Sequence, residues 1–401
     1  MTHRPLERHL PLLRRHDRVA VITPSGPPEQ DSLDRGCDLL RTWGLDVMFG
    51  RHVSTLEAMT AGSDTDRVGD IIWALTDPSI AAVFCGRGGY GLLRILDRIP
   101  WDDIQNAPMK PVIGFSDVTC LHAALELHLG WPSILGPHVA GGLGSTTPDA
   151  LSIESLKRLL FEGRLQPLFT DATRVMRAGR VEALPLRGGN LAMLAAMAGS
   201  LEGASRKTPF IAVLEDVNEA PYRVDRMLTQ LLRSGWFEGA SGVVCGSWDG
   251  CRGQPTTEDP QSSDLSRTTS RVMKNAGVRI SESDSFARSV CAGPASQPSG
   301  TTEDRTSHAL NGSPRTPRAA NMAGEAPALA FRHPARSTPV DQLEEVLMDR
   351  LDLVQGPIVF DAPFGHGALH FALPLGVDMT LDTSLRVLTF SATDGFAAGR
   401  S

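Results

Sequence analysis

Three side chains far apart in this sequence are of the types that together perform acyl transfer: a serine at a strand–helix turn, a histidine between glycines and a carboxylate at a strand end. The serine is Ser116, in Lys110-Pro-Val-Ile-Gly-Phe-Ser-Asp-Val-Thr119. An apolar strand runs into it and a helix begins at once with Asp117, so Ser116 projects past the sheet edge beside the free N–H groups of a helix start. Those groups suit a developing oxyanion; the other role open to this serine is capping the helix. A nucleophilic hydroxyl needs a base. His366, in Ala362-Pro-Phe-Gly-His-Gly367, lies in a glycine-flanked loop after the strand Ile358–Phe360, while His122 and His138 compete from the first half. His122 falls about two turns along the helix from Asp117, which carries it away from Ser116. The carboxylate is read at Glu215, where the apolar run Phe210-Ile-Ala-Val-Leu214 ends in acidic residues able to orient an imidazole and balance its charge. Asp216 and Glu219 are rivals on the same loop, with capping of the helix before Tyr222 as their other role. The order Ser, Glu, His is that of α/β-hydrolases, yet Gly114-Phe-Ser-Asp-Val118 lacks the second glycine of their nucleophile motif.

A second signal adjoins this set. Cys85-Gly-Arg-Gly-Gly-Tyr-Gly91 contains the spacing G-x-G-x-x-G, after the apolar Ala81–Phe84 and before Leu92-Leu-Arg-Ile-Leu96. These are the surroundings of a dinucleotide-binding turn, which also requires an acidic residue about twenty positions on, at the end of the next strand. Here that neighbourhood is Met109-Lys-Pro111, and the next strand ends in Ser116. The glycines also follow a later strand of the unit rather than its first. The spacing therefore predicts a loop in which Gly88 and Gly89 bring backbone N–H groups to a reacting carbonyl, beside the N–H of Asp117. Otherwise the loop would make the chain a non-catalytic nucleotide-binding module.

The elements that must position these residues read as an α/β protein. Arg18–Thr23, Ala81–Cys85 and Pro111–Phe115 are strand-like, with helices predicted over about Asp31–Trp43 and from Asp117 to about Leu129. Val68, Ile71, Ile72 and Leu75 form one apolar helical stripe. Strands separated by helices predict a mainly parallel sheet covered on both faces, with its ligands beyond the carboxyl ends of the strands. This N-terminal α/β domain is assigned to residues 1–145 and a linker to 146–178. A C-terminal mixed α/β domain over 179–401 carries the strands Phe210–Leu214, Gly242–Cys245 and Ile358–Phe360, and helices over Tyr222–Arg233 and near Leu343–Leu351. It is interrupted at 252–337 by a stretch rich in Ser, Thr, Pro, Gly and charge, whose few apolar residues predict a disordered insertion.

Totals narrow the function classes. A length of 401 residues favours two domains, and a net charge of −7 argues against a nucleic-acid partner. Six cysteines without C-x-x-C pairs indicate neither a disulfide framework nor a thiolate metal site. No apolar run is long enough to cross a bilayer, and the first residues lack the apolar core of a secretory signal, so a cytoplasmic location is expected.

Taken in order, Val21-Ile-Thr-Pro-Ser-Gly26, Gly86-Arg-Gly-Gly-Tyr-Gly91, Gly114-Phe-Ser-Asp117, Arg187-Gly-Gly-Asn190, Leu214-Glu-Asp-Val217 with Tyr222-Arg-Val-Asp-Arg-Met227, and Phe364-Gly-His366 resemble the LD-carboxypeptidases. These serine peptidases include the microcin C immunity peptidases. The resemblance covers nearly the whole chain apart from the insertion. It implies Ser116 as nucleophile, Glu215 as acidic member, His366 as base, and the N–H groups of Gly89 and Asp117 as oxyanion hole. It implies release of the terminal D-alanine from a murein tetrapeptide during cell-wall recycling, with a small peptide as partner, a homodimer as assembly, and no metal or organic cofactor. The immunity branch implies a peptidyl-nucleotide toxin as the alternative substrate. Two departures bear on this. The insertion separates Glu215 from His366 and would leave an inactive paralogue if it spoiled their docking, and Arg187 stands where some relatives carry an aromatic residue.

Overall fold

The computed structural model describes residues 10–252, 339–391 and 396–397; the expected insertion at 252–337 lies outside them except for Arg252. After β1 (Leu10–Pro11) the chain alternates β2 (Arg18–Ile22), α1 (Gln30–Thr42), β3 (Asp46–Phe49), α2 (Asp64–Thr76), β4 (Ile80–Cys85), a short α3 (Trp101–Ile104), β5 (Val112–Gly114), α4 (Thr119–Ala124), β6 (Ser133–Leu135) and α5 (Ala150–Glu162). Then come β7 (Arg174–Arg177), β8 (Arg180–Asn190), α6 (Leu191–Ala196), β9 (Phe210–Glu215), α7 (Pro221–Arg233) and β10 (Ala240–Cys245). The chain ends with α8 (Pro339–Leu351), β11 (Ile358–Phe360), β12 (Leu373–Leu375), β13 (Asp378–Asp382), β14 (Val387–Phe390) and β15 (Phe396–Ala397).

Local chemistry explains the helices of the first half. Glu29 caps α1 by accepting the N–H groups of Asp31 and Ser32, and Leu33, Cys37 and Leu40 bury one face. Ser63 and Asp66 close a capping box at α2, and of the predicted stripe Val68, Ile71 and Leu75 are buried, with Ile72 partly buried against the same cluster. The first sheet runs β12-β6-β5-β4-β2-β3, and its strands β6, β5, β4, β2 and β3 are parallel. The second sheet runs β14-β13-β8-β9-β10-β11-β7; β8, β9, β10 and β11 are parallel, and both margins are antiparallel. The fold is thus α/β, with a mainly parallel sheet in the first half and a mixed one in the second, as the sequence predicts.

Two features were not predicted. The stretch 146–178, expected to be a linker, holds α5, which is capped by Asp149 and ended by a left-handed Gly163. Its buried Leu156, Leu159 and Leu160 at helical spacing, with Asp before and Gly after, were the available signal. Strand β12 follows the His366 loop yet completes the first sheet, antiparallel to β6, with Leu373 opposite Leu135. The apolar core is shared accordingly. One cluster joins Ile71, Leu121 and Leu125 to Leu228, Val243 and Ile358, and another joins Phe84 and Ile113 to Leu373 and Met379. Among the described residues, no helix is long and apolar enough to cross a membrane.

Candidate active site

Strand β5 ends at Gly114, Phe115 continues extended, and Ser116 then turns sharply with φ of 61°. That left-handed conformation costs a non-glycine residue about 1–3 kcal/mol and persists only where the surroundings fix it. The fixing is visible. The Val118 N–H donates to the Phe115 carbonyl at 3.1 Å, and Gly88 packs so closely that a Cβ there would lie 3.0 Å from the Ser116 Cβ. Gly89 follows with φ of 109°, and the Gly88 carbonyl accepts the Gly26 N–H at 3.0 Å. The glycine loop is therefore folded against the 22–26 turn and the serine. The buried Asp117 carboxylate accepts the Leu92 N–H at 3.0 Å, tying the far end of that loop to the helix start, and burial raises its pKa.

The second half reaches this point through Thr119, one turn beyond the serine. Its hydroxyl accepts the Asn190 N–H at 3.0 Å, and a Cβ on Gly189 would collide with the same hydroxyl. The parallel register of β8 with β9 sets Asn190 opposite Glu215. Glu215 is fully buried, and its Oε2 lies 2.6 Å from His366 Nδ1. Gly365 has φ of 96°, and a Cβ there would sit 2.7 Å from that carboxylate oxygen, so only glycine lets the histidine loop approach. The loop is latched from behind: the His370 N–H donates to Ser152 Oγ at 2.8 Å and the Ala372 N–H to Ser155 Oγ at 3.0 Å, both on α5.

The competing carboxylates have other work. Asp216 accepts from Asn190 Nδ2 at 3.0 Å, the Ala192 N–H at 2.9 Å and the Val217 N–H at 2.8 Å, which holds the start of α6. Burial, with Glu215 beside it, pushes its carboxyl up to about 6. Glu219 faces Arg223 at 3.5 Å.

The histidines divide similarly. His122 Nε2 lies 2.9 Å from the Gly114 carbonyl, and burial lowers this imidazole to about 4. His138 stacks on Phe115 and is held well below its ordinary value, first by burial and then by neighbouring His370. His370, which sequence reasoning missed, packs edge-on to Phe115; burial and then His366 lower it to about 3. His366 differs. Burial pulls its pKa down, but the hydrogen bond and charge of Glu215 outweigh that and raise it above the ordinary histidine value. Its ring centre lies 4.7 Å from that of Phe115, the residue before Ser116. Among the described residues no hydrogen bond joins the Ser116 hydroxyl to His366; in substrate-free hydrolases such bonds are often long and tighten with substrate.

Beside His366 opens a cleft of about 260 Å³, lined among others by Phe115, Gly141, Ser145, Asp149 and His370. Arg187 lies elsewhere, paired with Glu126 at 2.5 Å and donating to Thr208 at 2.9 Å, where it ties the helix after Ser116 to the second sheet. Among the described residues, no group of three or more His, Cys, Asp or Glu side chains is placed to hold a metal ion. Chemically, the arrangement offers a carboxylate-held imidazole packed on the Phe115 ring, with a positive-φ serine next in the chain after Phe115.

Comparison with known proteins places the chain in a family. The profile of the LD-carboxypeptidase N-terminal domain matches residues 19–136, and that of the C-terminal domain matches 185–284 and 320–381. The murein tetrapeptide carboxypeptidase of Pseudomonas aeruginosa is 38% identical over 239 residues, 58% of this chain and 77% of that protein. A Synechocystis protein that carries a carboxypeptidase name is 30% identical over 93% of this chain and 94% of its own length. Among solved structures, the microcin C7 self-immunity protein MccF, captured with glutamyl sulfamoyl guanosine, has the same fold. Its TM-score is 0.66 at 18% identity, covering 96% of this chain and 99% of that one.

Proposed function

The chain belongs to the LD-carboxypeptidase family, and from that premise we propose that it is a serine peptidase releasing the C-terminal D-alanine of murein tetrapeptide, a step of cell-wall recycling in the cytoplasm. The observation that supports this reading is the 2.6 Å contact between Glu215 and His366, whose ring packs against Phe115, the residue before the positive-φ Ser116. In the proposed sequence the His366 Nε2 takes the hydroxyl proton as Ser116 Oγ attacks the carbonyl carbon of the L,D-peptide bond. Glu215 fixes the ring through Nδ1 and stabilises the imidazolium. The N–H groups of Gly89 and Asp117 receive the oxyanion, and loss of one such donor costs about a hundred- to a thousandfold in rate. His366 then protonates the departing D-alanine amine, and water, activated by the same imidazole, releases the acyl-enzyme.

Mass spectrometry of purified tetrapeptide incubated with the protein tests the reading. Tripeptide and free D-alanine are expected from the native chain, and neither from Ser116→Ala with an unchanged circular dichroism spectrum. Turnover by that variant at the native rate would remove Ser116 as nucleophile.

A second reading is favoured by the likeness to MccF over nearly all of that chain. On it, the same serine cleaves a peptidyl or acyl-sulfamoyl nucleotide. Parallel assays with tetrapeptide and aminoacyl-sulfamoyl nucleoside separate the two, because the preferred substrate turns over at the higher kcat/KM.

A further inference from the structure

We propose that His138 is a positioning residue for Ser116, holding the main chain of the preceding residue and the glycine loop in their working arrangement. The inference rests on Ser116 being the nucleophile. Its basis is a set of contacts on one imidazole. His138 Nε2 lies 3.0 Å from the Phe115 carbonyl oxygen and 3.3 Å from the Phe115 nitrogen. With the proton on Nε2 the ring donates to the carbonyl, and with it on Nδ1 the ring accepts the N–H. Either tautomer engages the main chain of residue 115. The ring face also stacks on the Phe115 ring, with centroids 4.2 Å apart. The neighbouring ring atom Cε1 lies 2.9 Å from where a Cβ on Gly88 would be, so the same edge of the ring that meets Phe115 also packs on the glycine loop.

One residue further back, the Gly114 carbonyl accepts from the Gly136 N–H at 3.1 Å and lies 2.9 Å from His122 Nε2. The last peptide groups before the nucleophile are thus gripped by two buried imidazoles, and then the chain turns into the left-handed conformation of Ser116. A backbone in that region does not hold itself there. His138 sits on the residue that sets the direction of the turn, and it touches the loop that bears Gly89. Displacing it would move hydroxyl and oxyanion donor together, and a shift of about 1 Å in such an arrangement can cost about a hundredfold in rate.

The test compares His138→Leu, His138→Gln and the native protein in D-alanine release, with thermal unfolding followed in parallel. Glutamine can offer one amide donor or acceptor to Phe115, and leucine offers none. The expected result is a kcat for the leucine variant lower by about 10- to 100-fold with KM within about threefold, and substantial recovery of kcat in the glutamine variant. Equal kcat in all three proteins would overturn the proposal, as would equal losses in both variants. A rise in KM at unchanged kcat would overturn it too, since that marks a substrate contact. Should the leucine variant fail to fold, His138→Asn takes its place, because its shorter amide does not reach Phe115. Failure of the underlying reading is separately visible, as loss of turnover in the native protein or its retention in Ser116→Ala.

Discussion

Glu215 and Asp216 are adjacent and chemically alike, and only one of them faces an imidazole. The sequence reads the acidic member at Glu215 but leaves Asp216 and Glu219 as rivals, because which neighbour each strand face meets is not written locally. In the structure Glu215 lies opposite Asn190 and contacts His366, while Asp216 accepts three hydrogen bonds around the start of α6. The histidines were separable only in part. His122 was read as directed away from Ser116, and it does grip Gly114 instead. His370 carried no motif and was missed. The raised pKa of His366 has a direct kinetic consequence. A base must be neutral to accept the serine proton, so activity falls as pH drops through the His366 value, and Glu215 keeps that limb high. Glu215→Gln should lower kcat about 10³- to 10⁴-fold and move the acid limb of kcat/KM to lower pH. A pH–rate profile checks this, and an unmoved limb would mean that another group sets it.

At the scale of elements, strands and helices of the first half were legible because their apolar spacing and caps agree, as α2 illustrates with its capping box and buried stripe. The insertion of β12 beside β6 was not legible. Pairing of segments so remote along the chain leaves no local signal in either three-residue strand. Yet this pairing, with the latch to α5, fixes the histidine loop. The Ser152 and Ser155 hydroxyls accept main-chain N–H groups of residues 370 and 372 in a buried setting. Removing both hydroxyls leaves two buried donors unpaired, at a cost of about 1–3 kcal/mol each. The double variant Ser152→Ala/Ser155→Ala should therefore melt several degrees lower and lose kcat, although neither serine lies in the proposed triad. Unchanged melting and rate, followed by circular dichroism and D-alanine release, would show that the loop is held by other contacts.

For the whole molecule, the two halves share both apolar clusters, so Ser116 and the Glu–His pair are joined by packing as well as by the Thr119–Asn190 contact. Every residue of the proposed triad, and both sheets, lie outside 253–338. The family profile passes over 285–319 while matching the chain on either side. The cost of closing a loop grows only slowly with its length, so a chain lacking 285–319 should release D-alanine within about threefold of the native rate. A folded but inactive deletion variant would make that stretch part of the working site, and gain of activity on deletion would mark it as inhibitory. On the proposed mechanism one hydroxyl, at residue 116, is activated by His366 and held by both halves. Intact-protein mass spectrometry after treatment with a fluorophosphonate, followed by peptide mapping, tests it most directly. A single adduct on Ser116 is predicted, slowed strongly in His366→Ala and absent in Ser116→Ala. An adduct on another residue, or turnover of tetrapeptide by a protein whose Ser116 never reacts, would contradict it.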